Sequence, residues 1–147
     1  MTHYTHILVA IDFSDSASII LDKARQIAER NKAQLSLLHI VEYMPPIDSA
    51  YEPILASNWA IDEPQLLSRA ENSLQQLCLQ HDLKDAKLNV VLGTPKHEIT
   101  RFVNEHHCDL IVMGSHGRHG ISLLLGSTAN AVLHEMPCDI LAVKIKA

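Results

Sequence analysis

The chain has no surplus of positive charge, no C-x-x-C pair, no long apolar run and only five glycines, and each shortage narrows what it can do. With 12 Lys and Arg against 17 Asp and Glu, its net charge of -5 lacks the basic face that gripping a nucleic-acid backbone requires. Any anion it binds must be held by local groups. Cys78, Cys108 and Cys138 are widely spaced among apolar neighbours, which suggests neither a redox centre nor a zinc site. They read as buried thiols in a reducing compartment. No apolar segment approaches the roughly eighteen residues of a membrane span. No charged-then-apolar leader precedes the first strand-like run, so a soluble, cytoplasmic protein is expected. Also missing are the G-x-x-x-x-G-K-[ST] phosphate loop, an SGGxDS loop at the first strand end, and a G-x-S-x-G elbow or identifiable base for Ser14 or Ser16.

What is present is a regular alternation. The 147 residues, 47% of them hydrophobic, suit one domain over residues 1–147 that buries about two-thirds of its unfolded surface. His6 to Asp12 (HILVAID) is a short continuous apolar run, as expected for a strand covered on both faces. Ser14 and Ser16 are candidate caps for a helix to about Arg30, in which Ile20, Ala24, Ile27 and Ala28 recur at helical spacing. Ala33 to Val41 is a second strand, completing a right-handed β-α-β unit. Glu42 to Pro64 carries four prolines and reads as a long loop, a lid or interaction surface, with a short helical turn expected around Ile54 to Trp59. Leu66 to His81 is an amphipathic second helix, and Leu88 to Leu92 a third strand. Thr94 and Pro95 open a third helix to about His106, as N-cap and first helical residue. Asp109 to Met113 is a fourth strand, Ser127 to His134 a fourth helix ended by Met136-Pro137, and Asp139 to Val143 a fifth strand. The pattern predicts an α/β fold, a doubly wound parallel sheet of five strands with about four helices.

In such sheets ligands bind outside the carboxyl ends of the strands, where the chain switches faces. The first and fourth strands flank that switch here, so Asp12 and the glycine-rich stretch from Gly114 converge on one crevice. Four of the five glycines fall in GSHGRHGISLLLG, Gly114 to Gly126, just before Ser127 and Thr128 at a helix start. Glycines let backbone approach a ligand closely, and hydroxyls beside unpaired N–H groups make a phosphate cradle. The same residues also serve as plain strand ends, turns and caps, and the spacing alone does not choose.

The segments HILVAIDFSDSA, LSLLHIV, DLIVMGSHG and GSTANAVLHEMPCDILAV together resemble the universal stress proteins of the UspA superfamily, single-domain bacterial type. The resemblance covers the whole chain and implies a Rossmann-like sheet of order 3-2-1-4-5, related to the adenine nucleotide alpha hydrolases. The ATP-binding branch carries G-x2-G-x9-G-[ST], whereas this chain reads Gly114-x2-Gly117-x8-Gly126-Ser127, one residue short. By resemblance, Asp12 meets the ribose or metal side of the nucleotide, Ala10 and Ile40 line the base pocket, and Met113 and Gly114 pack under the ribose. Gly117 makes the tight turn, and Gly126, Ser127 and Thr128 contact phosphate. His116, Arg118 and His119 offer cations within the loop. The resemblance further implies ATP, with or without Mg²⁺, as cofactor and a homodimer through the C-terminal strand, Asp139 to Lys144. A second branch of the family lacks the glycines and works through protein partners alone, and a slow ATPase or autophosphorylating protein is a third option.

Ten histidines invite a metal reading. Neither His106-His107-Cys108-Asp109 nor His116-x-x-His119 supplies four ligands at a recognised spacing, so no metal site and no catalytic residue is expected. His106 and His107 are expected to close the third helix, and His39 to be a hydrogen-bonded histidine of the core.

Overall fold

The computed structural model describes residues 3–13, 16–41, 63–83, 85–115, 127–135 and 137–144. Five strands are present: β1 (His6–Ala10), β2 (Gln34–Val41), β3 (Lys87–Leu92), β4 (Leu110–Gly114) and β5 (Asp139–Val143). Among the described residues the helices are α1 (Ala17–Asn31), α2 (Glu63–Gln80), α3 (Pro95–His106) and α4 (Ser127–Glu135). The sheet is parallel throughout, in the order β3-β2-β1-β4-β5. This is the Rossmann-like arrangement that the alternation and the resemblance predict.

The period-2 alternation of a strand sends successive side chains of β1 to opposite faces. Ile7 and Val9 pack with Leu37, Val112 and the α1 residues Ile20, Leu21 and Ala24, while Leu8 joins Leu38, Ile111, Ile99, Phe102 and Val132 on the α3 and α4 side. Ile7, Leu8 and Val9 are all fully buried, which is why the run is apolar without alternation. On α1, Ile20, Ala24 and Ala28 lie at four-residue intervals, and their burial supplies the helix's tertiary stabilisation.

Several boundaries differ from those expected. The helix expected from Leu66 opens at Glu63 with Pro64 in its first turn, where a missing N–H costs nothing. The rest of the expected loop, residues 42–62, and its helical turn lie outside the described residues. Ser16 precedes α1 in helical geometry (φ -85, ψ -5) without a side-chain cap, because its hydroxyl is not turned back toward the first-turn amides as an extended N-cap would be. Thr94 has the extended geometry (φ -96, ψ 127) yet also makes no side-chain cap, leaving Pro95 to set the entry into α3. Asp109 stands just before β4 because its carboxylate is engaged elsewhere. It accepts the Thr5 and His6 amides at 2.8 and 3.0 Å and the Thr5 hydroxyl at 3.1 Å, tying β4 to the start of β1.

Candidate functional site

β1 and β4 are adjacent and in register at Val9 and Val112, so Ala10 and Met113 occupy the next step at the carboxyl edge. Ala10, Ile40 and Met113 all belong to the hydrophobic cluster on the α3 and α4 side. Met113 is buried, whereas Ala10 and Ile40 are half-buried and present an apolar shelf at the sheet's upper edge. Gly114 pairs with Val143 of β5, and the following amide of Ser115 donates to the Val143 carbonyl at 2.9 Å. β4 therefore ends at Gly114, with Ser115 still bonded to β5.

On the other side of the switch, Ile11 still donates to the Leu38 carbonyl at 2.9 Å, and Asp12 follows, half-buried. His39 of β2 pins this turn. Its Nδ1 lies 2.7 Å from the Ile11 carbonyl, so that nitrogen carries the proton, and its ring is 4.2 Å from the ring of Phe13. Both neighbours of Asp12 are thereby held by one side chain. Sequence reasoning expected His39 to be hydrogen-bonded in the core, but not that its partner would be the turn bearing the candidate acidic residue. A histidine two positions before the end of an interior strand, beside the carboxyl end of β1, was the available signal.

The structure thus brings Ala10, Ile40, Met113 and Gly114 to one edge, with Asp12 just beyond β1. Ser127 and Thr128 open α4 as expected, their side chains outside the description. Gly117 and Gly126 lie outside the described residues, with Ser14, His116, Arg118 and His119. An apolar half-buried shelf next to a carboxylate suits a nucleoside, whose base needs cover and whose ribose hydroxyls donate to an acceptor.

Of the residues considered as metal ligands, His106, His107 and Asp109 make other contacts, and His116 and His119 lie outside the described residues. His106 donates from Nδ1 to the Phe102 carbonyl at 3.1 Å and stacks on the Phe102 ring at 4.0 Å. His107 is the left-handed cap of α3, and Asp109 holds Thr5 and His6. Burial, with the neighbouring Cys138 and Asp109, pushes the Cys108 thiol up to about 12, and burial with Asp139 and Asp109 pushes Cys138 up to about 11. Both thiols are therefore held in the neutral form near neutral pH. A polar pair that no motif announced lies near the opposite strand ends: buried His6 donates from Nδ1 to the His106 carbonyl at 3.1 Å and accepts the Ser36 hydroxyl at 2.7 Å on Nε2. With both ring nitrogens engaged, it satisfies a buried polar group.

Residues 3–144 match the model of the Universal stress protein family. The chain is similar to universal stress protein A homologs 1 and 2 of Coxiella burnetii (strain RSA 493 / Nine Mile phase I). The first is 36% identical over 98% of this chain and 99% of the relative, the second 38% identical over 99% of each. Among solved structures, universal stress protein UspA from Lactobacillus plantarum is 27% identical with a TM-score of 0.65, covering 99% of this chain and 100% of that one. A universal stress protein in complex with cAMP is 24% identical with a TM-score of 0.63, covering 97% and 98%, a likeness of fold. Among the described residues no helix is long and apolar enough to cross a membrane.

Proposed function

Because this chain belongs to the universal stress protein family, we propose that it is a dimeric nucleotide-binding module of the stress response, with ATP as its ligand. The observation that carries the reading is the meeting of the Ala10, Ile40 and Met113 shelf with Asp12 and Gly114 at the carboxyl ends of the two central strands. In this reading Ala10 and Ile40 of the shelf take the adenine base, Met113 and Gly114 pack under the ribose, and Asp12 accepts from the ribose hydroxyls or faces Mg²⁺. Gly117 makes the tight turn, and Gly126, Ser127 and Thr128 hold phosphate. That one neighbour of this fold is in complex with cAMP supports a nucleotide as the class of ligand. ATP acts here as a state marker, not a consumed substrate, since the sequence offers no identifiable base or nucleophile for its turnover. Mass spectrometry of nucleotide released by denaturing the purified protein tests the reading. Recovery of adenine nucleotide near one per chain supports it, and an empty protein that also fails to take up Mg-ATP defeats it.

Dimerisation runs through β5 in this proposal. β5 is an edge strand, and because the Val143 carbonyl faces β4, the backbone groups of Ile140 and Ala142 face away from the sheet. Ala142→Pro removes one outward N–H while sparing the bonds to β4. It is expected to convert a sedimenting dimer to monomer, and a dimer that survives places the interface elsewhere.

The one-residue-short spacing from Gly117 to Gly126 favours a second reading, in which the dimer binds no nucleotide and works through protein partners. The same nucleotide measurement separates the two.

A further inference from the structure

Outside the crevice, one cluster has the form of a nucleophilic centre. Ser18 and Asp22 are four residues apart on one face of α1, and His81 stands at the end of α2. The His81 Nε2 is 3.2 Å from the Ser18 Oγ, and its Nδ1 is 3.2 Å from the Asp22 Oδ1. A carboxylate can only accept, so Nδ1 carries the proton and the Nε2 lone pair faces the serine hydroxyl. This is the nucleophile, base and orienting-acid order of an acyl-transfer site. His81 is largely enclosed, with 14% of its side chain exposed, whereas Ser18 is open to solvent.

Two further features suit that chemistry. α1 begins at Ala17, so the Ser18 amide lies in the first turn, where no intrahelical carbonyl is available and the helix end carries partial positive charge. Beside the cluster is a cleft of about 230 Å³ lined by Phe13, Ala17, Ser73, Gln76, Leu77 and Gln80. Ser18, Asp22 and His81 do not themselves line it, but their chain neighbours Ala17 and Gln80 do.

We propose that Ser18, His81 and Asp22 form an acyl-transfer site for small carboxylic esters. The Ser18 oxygen bonds to the ester carbonyl carbon while its proton passes to His81 Nε2, and the developing oxyanion meets the first-turn amides of α1. Of those amides Ile19 and Ile20 already donate to the Ser16 carbonyl, so the Ser18 amide is the one that meets the oxyanion. The bond to the leaving alcohol breaks, and His81 returns the proton to that oxygen. Water then adds to the acyl-serine, giving up a proton to His81. The carboxylic acid departs, and the proton returns to Ser18. Asp22 touches no substrate and is a positioning residue that fixes the imidazole tautomer.

The test is labelling of the full chain by an alkyl fluorophosphonate, with the adduct located by peptide mass spectrometry. The adduct is expected on Ser18 and is lost in Ser18→Ala. His81→Gln slows its formation by at least about a hundredfold, the low end of general-base contributions. Asp22→Asn retains a hydrogen bond but imposes the other tautomer, so labelling falls while thermal stability holds, and Asp22→Glu restores it. Absence of an adduct on Ser18, or labelling indifferent to His81→Gln, overturns the proposal and leaves a helix-to-helix polar contact. With p-nitrophenyl acetate as substrate, turnover beyond one equivalent that disappears in Ser18→Ala supports the hydrolytic step. Arrest at one equivalent overturns that step. The experiment uses no nucleotide, so its failure leaves the crevice reading untouched.

Discussion

His39 donates from Nδ1 to the carbonyl of Ile11 at 2.7 Å and lies ring to ring with Phe13 at 4.2 Å, so a residue of β2 fixes the turn that carries Asp12. Ile11 is 4% exposed, and removing the donor leaves its carbonyl without this partner. His39→Ala is expected to cost about 1–3 kcal/mol, the penalty for depriving a buried polar group of its bond. It should also weaken nucleotide binding, by freeing Asp12. Urea unfolding followed by titration checks both effects. An unchanged midpoint would mean that another donor reaches Ile11.

Asp109 ties β1 to β4 through the Thr5 and His6 amides and the Thr5 hydroxyl. Burial alone would raise its carboxyl, but those three donors outweigh burial and hold it below the ordinary 3.8. A carboxyl depressed on folding contributes stability that is full above its unfolded value and is lost as pH falls through its folded value. Asp109→Asn should therefore be less stable than the parent at neutral pH and show a shallower loss on acidification. Melting temperatures measured from pH 7 down to pH 3 test this, and parallel profiles for the two proteins would contradict it.

The architecture was legible because its cues are local. β1 reads as a doubly covered strand from HILVA alone, and α1 from Ile20, Ala24 and Ala28. Even strand order followed once the chain's resemblance was added. Contacts between residues distant in sequence were not legible. His39 to Ile11 spans 28 positions and His81 to Ser18 spans 63, and neither pair forms a motif that spacing could reveal. Ser16 and Thr94 stand at the cap positions expected of them, but neither side chain makes the capping bond. For the candidate site, Ala10, Met113 and Gly114 stood at strand ends, while Ile40 and the roles of all four came from the resemblance, and the brace from His39 needed the folded sheet.

Lys32 and His107, the residues that close α1 and α3, sit in the left-handed region at φ 52 and φ 55. A side chain with a Cβ is strained there, and glycine is not. Lys32→Gly and His107→Gly should each stabilise the fold by about 0.5–1 kcal/mol after the entropy cost of glycine is subtracted. Denaturant midpoints report this directly. A loss of stability in either variant would show that its side chain contributes more than the strain it relieves.

The three thiols are all raised on folding, Cys78 by burial, Cys108 to about 12 and Cys138 to about 11. A raised thiol contributes stability that is full below its unfolded value, near 9.0, and is lost as pH rises toward the folded value. Stability should decline between about pH 9 and pH 12, and iodoacetamide at pH 8 should react far more slowly with the folded chain than with the urea-unfolded chain. Rapid alkylation of the native protein at any of the three positions would contradict the assignment.

Calorimetric titration of Mg-ATP into the wild type and into Gly117→Val and Gly126→Val tests the central claim most directly. Saturable binding near one nucleotide per chain is expected, abolished by either valine while the melting transition persists. No heat of binding to wild type, in a protein that also carries no nucleotide from expression, would contradict it and leave the protein-partner reading in its place.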